Sequence, residues 1–135
     1  MEFANKTFIV TGASSGIGAA AALLLASRGA NVVLGARRET ELAQIAGQIK
    51  QSNGHAVWQK SDVTNKEDLT ALVALAESEF GGLNGAFNNA GLVGEMGPCE
   101  GQTAENWDAV IATNLTSAFL CAQTQIPAMK RRGGG

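Results

Sequence analysis

Short β-branched runs and helical stripes alternate four times along this chain, and that alternation admits few folds. "TFIVT" at 7–11 leads through glycines into the alanine-rich "AAAALLLASRG". "NVVLG" at 31–35 is followed by Leu42, Ile45, Ala46 and Ile49, an i, i+3, i+4, i+7 spacing that marks one face of a helix. "AVWQKSDV" at 56–63 reads as a third strand, with interleaved polar residues that suit a sheet edge. Thr64-x-x-Glu67 reads as a capping box opening a helix that carries Leu69, Leu72, Val73, Ala76 and Phe80 and stops at Gly81-Gly82. "GAFNN" at 85–89 is the fourth strand. Thr103 then N-caps the longest helical pattern, over 103–131, with Trp107, Val110, Ile111, Leu115, Phe119, Ile126 and Met129 along it.

Strand and helix in alternation make βαβ units, hence an α/β fold with a parallel sheet covered on both faces. Right-handed crossovers carry the first three strands outward and start the other half with the fourth, giving the order 3-2-1-4. The crevice between strands 1 and 4 is then the switch point where such sheets bind ligands. "RRGGG" at 131–135 reads as the turn into a fifth strand beside the fourth. Residues 1–135 are therefore expected to be the front part of a larger, doubly wound domain.

Composition narrows the function. Charged residues make up only 16% of the chain and glycine is frequent at 17 residues, as suits strands buried on both faces and joined by tight turns. A net charge of −2 offers nucleic acid no broad basic surface. "AAAALLLA" at 19–26 is far short of the roughly 20 residues that span a bilayer, and the start "MEFANKTFIV" has no secretory apolar region. Cys99 and Cys121 form no CxxC pair and fit reduced thiols, which points to the cytoplasm. With His55 as the one histidine and no clustered ligands, there is little from which to build a metal site.

The joint between strand 1 and the first helix is "TGASSGIG", a G-x3-G-x-G arrangement of Gly12, Gly16 and Gly18. Gly12 permits a tight turn, Gly16 lets backbone approach a pyrophosphate, and Gly18 lets the helix pack close to the sheet. The helix N-terminus meanwhile turns free N–H groups toward an anion. No Gly-Lys-Ser/Thr follows, which disfavours a P-loop hydrolase. Taken alone, the motif also suits a glycine-rich turn without a ligand.

It is accompanied by "DV" at 62–63, "NNAG" at 88–91 and the asparagine of "TNL" at 113–115, in order and at suitable intervals. Together these motifs resemble the short-chain dehydrogenase/reductase family, over essentially the whole chain from Lys6 to Gly135. The resemblance implies a Rossmann-type domain and hydride transfer between a nicotinamide cofactor and an alcohol or carbonyl substrate. It implies cofactor contacts from Gly12, Ser14, Ser15, Gly16, Ile17 and Gly18, adenine contacts from Asp62 and Val63, and ribose contacts from Asn89, Ala90 and Gly91. Asn114 would hold a water in the proton relay; read from its neighbours alone, it could equally bond the backbone, kink the helix or face solvent.

At the end of strand 2, Ala36 stands where the family's acidic residue would fall, and Arg37 and Arg38 follow. A carboxylate would repel a 2′-phosphate whereas guanidinium groups bind one, so NADP(H) is expected over NAD. The alternative is a solvated helix start. The family's serine, tyrosine and lysine would lie beyond Gly135, and the chain contains no tyrosine, so the 135 residues alone are expected not to turn over. An inactive nucleotide-binding module and a truncated product without function remain alternatives. The resemblance also implies that the helix at 103–131 packs against its copy in a homo-oligomer, with core packing accounting for most of its apolar stripe. Leu92, Val93 and Met96, after the cofactor turn, would form a partly apolar wall of the substrate site.

Overall fold

The computed structural model describes residues 1–135. Strands β1 (Thr7–Thr11), β2 (Asn31–Ala36), β3 (His55–Lys60) and β4 (Gly85–Asn88) form one parallel sheet in the order β3-β2-β1-β4. The expected topology is the observed one. Helices α1 (Gly16–Ser27), α2 (Glu39–Gln51) and α3 (Lys66–Phe80) make the crossovers, and α4 (Ala104–Ile111) and α5 (Ser117–Arg131) follow β4.

Successive residues of a strand point to opposite faces, and the sequence exploits this with adjacent apolar residues. Val10, Val32 and Leu34 face α1 and α2, where Ala22, Ala26, Leu42, Ala46 and Ile49 complete one core. Ile9 and Val33 face the other way, onto Leu72, Val73 and Ala76 of α3 with Leu83 and Ala128. Both layers are buried, so the strands read as continuous apolar runs rather than alternating ones.

Three local expectations change. First, β3 ends at Lys60, not at residue 63. Ser61 N–H still bonds the Ala36 carbonyl at 2.8 Å, but the chain then leaves the sheet. Second, Thr64 does not cap α3. Its hydroxyl donates to Asp62 Oδ1 at 2.7 Å, and Asn65 caps instead, with Oδ1 accepting from Glu67 N–H at 3.0 Å. Donation to the Asp62 carboxylate orients the Thr64 hydroxyl toward Asp62, so its oxygen does not accept from the helix N–H groups and the cap falls to Asn65. Thr103, by contrast, does cap α4, accepting from Asn106 N–H at 3.1 Å.

Third, the helix expected at 103–131 is interrupted by a π-helical turn at Ala112–Thr116. Its apolar stripe divides there. Cys121 and Ala128 face inward with Ser117 and Gln125, whereas Trp107, Leu115, Phe119 and Ile126 lie exposed. Core packing therefore does not take most of the stripe. The face of α5 that approaches the sheet is the one with small or slim side chains, and the bulky ones fall on its flank. Burial pushes the Cys121 thiol up to about 11, so it stays protonated at neutral pH.

Leu72 packs the α3 layer closely onto the sheet: a Cβ on Gly35 would come within 2.7 Å of its Cδ1. Leu72→Ala, at 1% exposure, is expected to cost about 2–5 kcal/mol, read as a lower urea midpoint at unchanged slope.

Candidate functional site

The carboxyl ends of the strands open into one cleft of about 850 Å³. Its floor is set by the turn after β1. Gly12 and Gly16 have φ of 64° and 56°, in the left-handed region, and only a residue without a Cβ adopts these freely. Space decides the other positions. A Cβ on Gly18 would lie 2.2 Å from the Gly12 carbonyl oxygen, and one on Gly12 would lie 2.9 Å from Asn89 Nδ2. A Cβ on Gly16 would meet nothing within 4 Å, so the helix start is open on that side. No side chain caps α1; the Ser15 hydroxyl accepts from Arg38 and makes no bond to the helix N–H groups. The first N–H groups of α1 thus have no side-chain partner, which is the arrangement that receives anions.

The rim after β2 is cationic. Arg38 Nη2 donates to Ser14 Oγ at 3.1 Å and to Ser15 Oγ at 2.8 Å, joining the end of β2 to the glycine turn. Its Nη1 lies 3.8 Å from Glu41. Arg37 is exposed beside Asp62. Asp62 Oδ1 accepts from the Thr64 hydroxyl and from Thr64 N–H at 2.9 Å. These two bonds, helped by the Arg37 charge, hold the Asp62 carboxyl below the usual carboxylate range. Val63, in contrast, is buried at 8% exposure.

The opposite rim is the turn after β4, and it is sewn onto β1. Asn89 Nδ2 donates to the carbonyls of Thr11 at 3.2 Å and Gly12 at 3.4 Å, and Ala90 N–H donates to Thr11 Oγ1 at 3.2 Å. Gly12, Ser14, Ser15, Arg37, Arg38, Asp62, Val63, Asn89, Ala90 and Gly91 all line the cleft. Gly16, Ile17 and Gly18 do not: Gly18 is buried under Gly12, and Ile17 is 73% exposed.

Asn114 lies outside the lining as well. It sits in the π turn and grips the Leu92 backbone at two points, with Oδ1 accepting from Leu92 N–H at 2.8 Å and Nδ2 donating to its carbonyl at 2.7 Å. Of the three structural options, the amide bonds backbone. One lone pair and one N–H remain for another partner. A π turn inside a helix is frequent at functional sites. Leu92, expected in a wall of the substrate site, lines the cleft while Val93 and Met96 do not, and the cleft also takes in Ser61, Thr64, Ala109, Ala112 and Thr113, which sequence reasoning missed. Ala109, Ala112 and Thr113 have i, i+3, i+4 spacing and small side chains, a signal that was visible but unremarkable beside the long apolar stripe.

The pattern of the short chain dehydrogenase family matches residues 6–135. The chain belongs to that family. It is 39% identical over 134 residues to a cyclohexanol dehydrogenase of Acinetobacter sp. (strain SE19), covering 99% of this chain and 53% of that one. It is 38% identical to a 3beta-hydroxysteroid dehydrogenase of Mediterraneibacter gnavus, covering 98% and 48%. The crystal structure of a metagenomic short-chain oxidoreductase in complex with NADP superposes with a TM-score of 0.92 at 33% identity, covering 100% of this chain and 61% of that one. The chain spans about half the length of the curated relatives it matches.

Two outcomes follow from the geometry. Gly18→Ala, which forces a Cβ onto the Gly12 carbonyl, is expected to lower stability by about 1–3 kcal/mol in denaturant titrations. Thr64→Ala should raise the Asp62 titration midpoint, followed by the side-chain carboxyl shift in NMR. Because the folded-state value is depressed, the Asp62–Thr64 bonds stabilise the fold above the usual carboxylate range and are lost as pH falls through the lowered midpoint.

Proposed function

We propose that residues 1–135 form the NADP(H)-binding half of a short-chain oxidoreductase that moves a hydride between the nicotinamide and an alcohol or carbonyl carbon. The observation that carries this reading is the pair Arg37 and Arg38 at the end of β2, with Ala36 where an acidic residue would favour NAD. Arg38 is already held by two serine hydroxyls at the mouth of the glycine turn. A 2′-phosphate there would meet a guanidinium whose position is set before binding, and charge-assisted bonds of this kind are the strong ones.

The remaining residues divide the work. The N–H groups of Gly16, Ile17 and Gly18 face the pyrophosphate, although the side chain of Ile17 points away. Asp62, ionised and with Oδ2 free of Thr64, accepts from the adenine amino group, and the backbone of Val63 contacts the ring while its side chain packs with Leu69 and Cys121. Asn89, Ala90 and Gly91 leave room for ribose against bare backbone. When bound, the cofactor supplies or accepts the hydride. Asn114 fixes Leu92 and, with its remaining lone pair and N–H, holds a relay water. The proton-transfer groups come from outside residues 1–135, so these residues bind without turning over. A second copy of the complete protein covers the exposed Trp107, Leu115 and Phe119.

Titration of the 135-residue chain with NADPH and NADH, read by cofactor fluorescence, tests this. NADPH is expected to bind about tenfold tighter or better, and Arg37→Ala/Arg38→Ala to abolish the difference. Equal affinities in the unaltered chain would overturn the NADP reading. No oxidation of alcohols or reduction of carbonyls is expected from the chain alone.

A further inference from the structure

The dipeptide Asn-Gly occurs twice in the chain, at Asn53-Gly54 and at Asn84-Gly85. In this pair a backbone nitrogen attacks the preceding side-chain amide most readily, because glycine has no side chain to stand in the way. The fold holds the two copies very differently.

Asn84 is clamped into the sheet. Its Oδ1 accepts from Thr7 N–H and its own N–H donates to the Thr7 carbonyl, both at 2.9 Å, and Gly85 pairs with Phe8 in the β1–β4 ladder. Freeing that amide to react means parting β4 from β1. Asn53 instead follows the end of α2, in the left-handed region with φ of 60°, which asparagine tolerates better than most residues. Asn53 N–H donates to the Lys50 carbonyl at 3.0 Å and Gly54 N–H to the Ile49 carbonyl at 2.9 Å, the paired bonds of a Schellman cap. The Asn53 side chain takes part in neither bond. It is exposed and lines a recess of about 290 Å³ shared with Asn5, Ser27, Asn31 and His55. Only the bond from Gly54 to Ile49 restrains the attacking nitrogen, and helix ends open at far less cost than core strands.

We propose that Asn53 is a site of spontaneous deamidation in the folded chain and that Asn84 is not. When the cap opens, the Gly54 nitrogen attacks Asn53 Cγ. The N–Cγ bond forms as the Cγ–Nδ2 bond breaks, and the amide leaves as ammonia with the proton lost from Gly54. Water then opens the succinimide ring at either carbonyl, giving aspartate or the isoaspartate in which the main chain runs through Cγ. Nothing is oxidised or reduced. The product sets a carboxylate at the C-terminus of α2, the negative end of the helix dipole. The isoaspartyl form also adds a main-chain carbon just before His55, where β3 begins its pairing with Asn31. Asn53 lies at the amino ends of the strands, so the change loosens the β3 edge without touching the cleft at their carboxyl ends.

The test is peptide mapping by mass spectrometry after incubation of the 135-residue chain in mildly alkaline buffer, native and in urea, with isoaspartate counted by enzymatic methyl labelling. In the native chain Asn53 should convert at least about tenfold faster than Asn84, and in urea the two rates should agree to within about threefold. Asn53→Gly, which suits the left-handed position, should remove the native mass gain. Asn84 keeping pace with Asn53 in the native chain overturns the proposal, as does Asn53 staying intact there while it converts in urea. An undiminished mass gain after Asn53→Gly overturns it as well.

Discussion

The contact between Gly18 and the Gly12 carbonyl is the constraint on which the rest of the site depends. Without a Cβ at 18, the first turn of α1 lies directly on the end of β1. That brings the uncapped N–H groups of the helix to the mouth of the switch point, where the sheet order reverses between β1 and β4. Any side chain at 18 would lift the helix and carry its uncapped N–H groups away from the glycine turn. The close approach also fixes Gly12 beside Asn89, so the turns after β1 and β4 share one surface.

Electrostatics then divide the cleft along its length. The β2–β3 side holds Arg37, Arg38 and an Asp62 kept ionised by the Thr64 bonds, all of them exposed and screened by water when free. The β4 side is neutral and built from amides: Asn88 with Gln125, Asn89 with the β1 carbonyls, and Asn114 with Leu92. Exposed charge on one side is free to meet a ligand in water, whereas paired amides on the other hold backbone still without adding charge. The π turn at Ala112–Thr116 belongs to the second system, since it carries Asn114 in register with Leu92 while α5 keeps Gln125 in register with Asn88.

How much of this was legible in advance depended on the range of the interaction. Apolar runs and periodicity identified the four strands and the three crossover helices, since burial on a strand or a helix face imposes a pattern over a few residues. The glycine turn and the arginines were legible for the same local reason. Thr64 misled because its hydroxyl could accept from an N–H of the helix or donate to the nearby Asp62 carboxylate, and a capping box looks identical on paper whichever bond forms. The stripe at 103–131 misled because a helical repeat shows which residues share a face but not which face the sheet accepts. The pairing of Asn88 with Gln125 spans 37 residues, and nothing in either residue's neighbours announces it.

By itself the sequence determined the α/β class, the strand order, the glycine turn and the cationic end of the cleft. Each follows from local sterics, handedness or fixed charge, which act between residues near in the chain. Only the tertiary structure decided that Arg38 rests on Ser14 and Ser15, that Asn65 rather than Thr64 caps α3, and that the 88–92 turn is held from behind by α5. Those outcomes turn on which donor reaches which acceptor once the layers have packed, and directional bonds over a few ångströms leave no periodic trace in the chain.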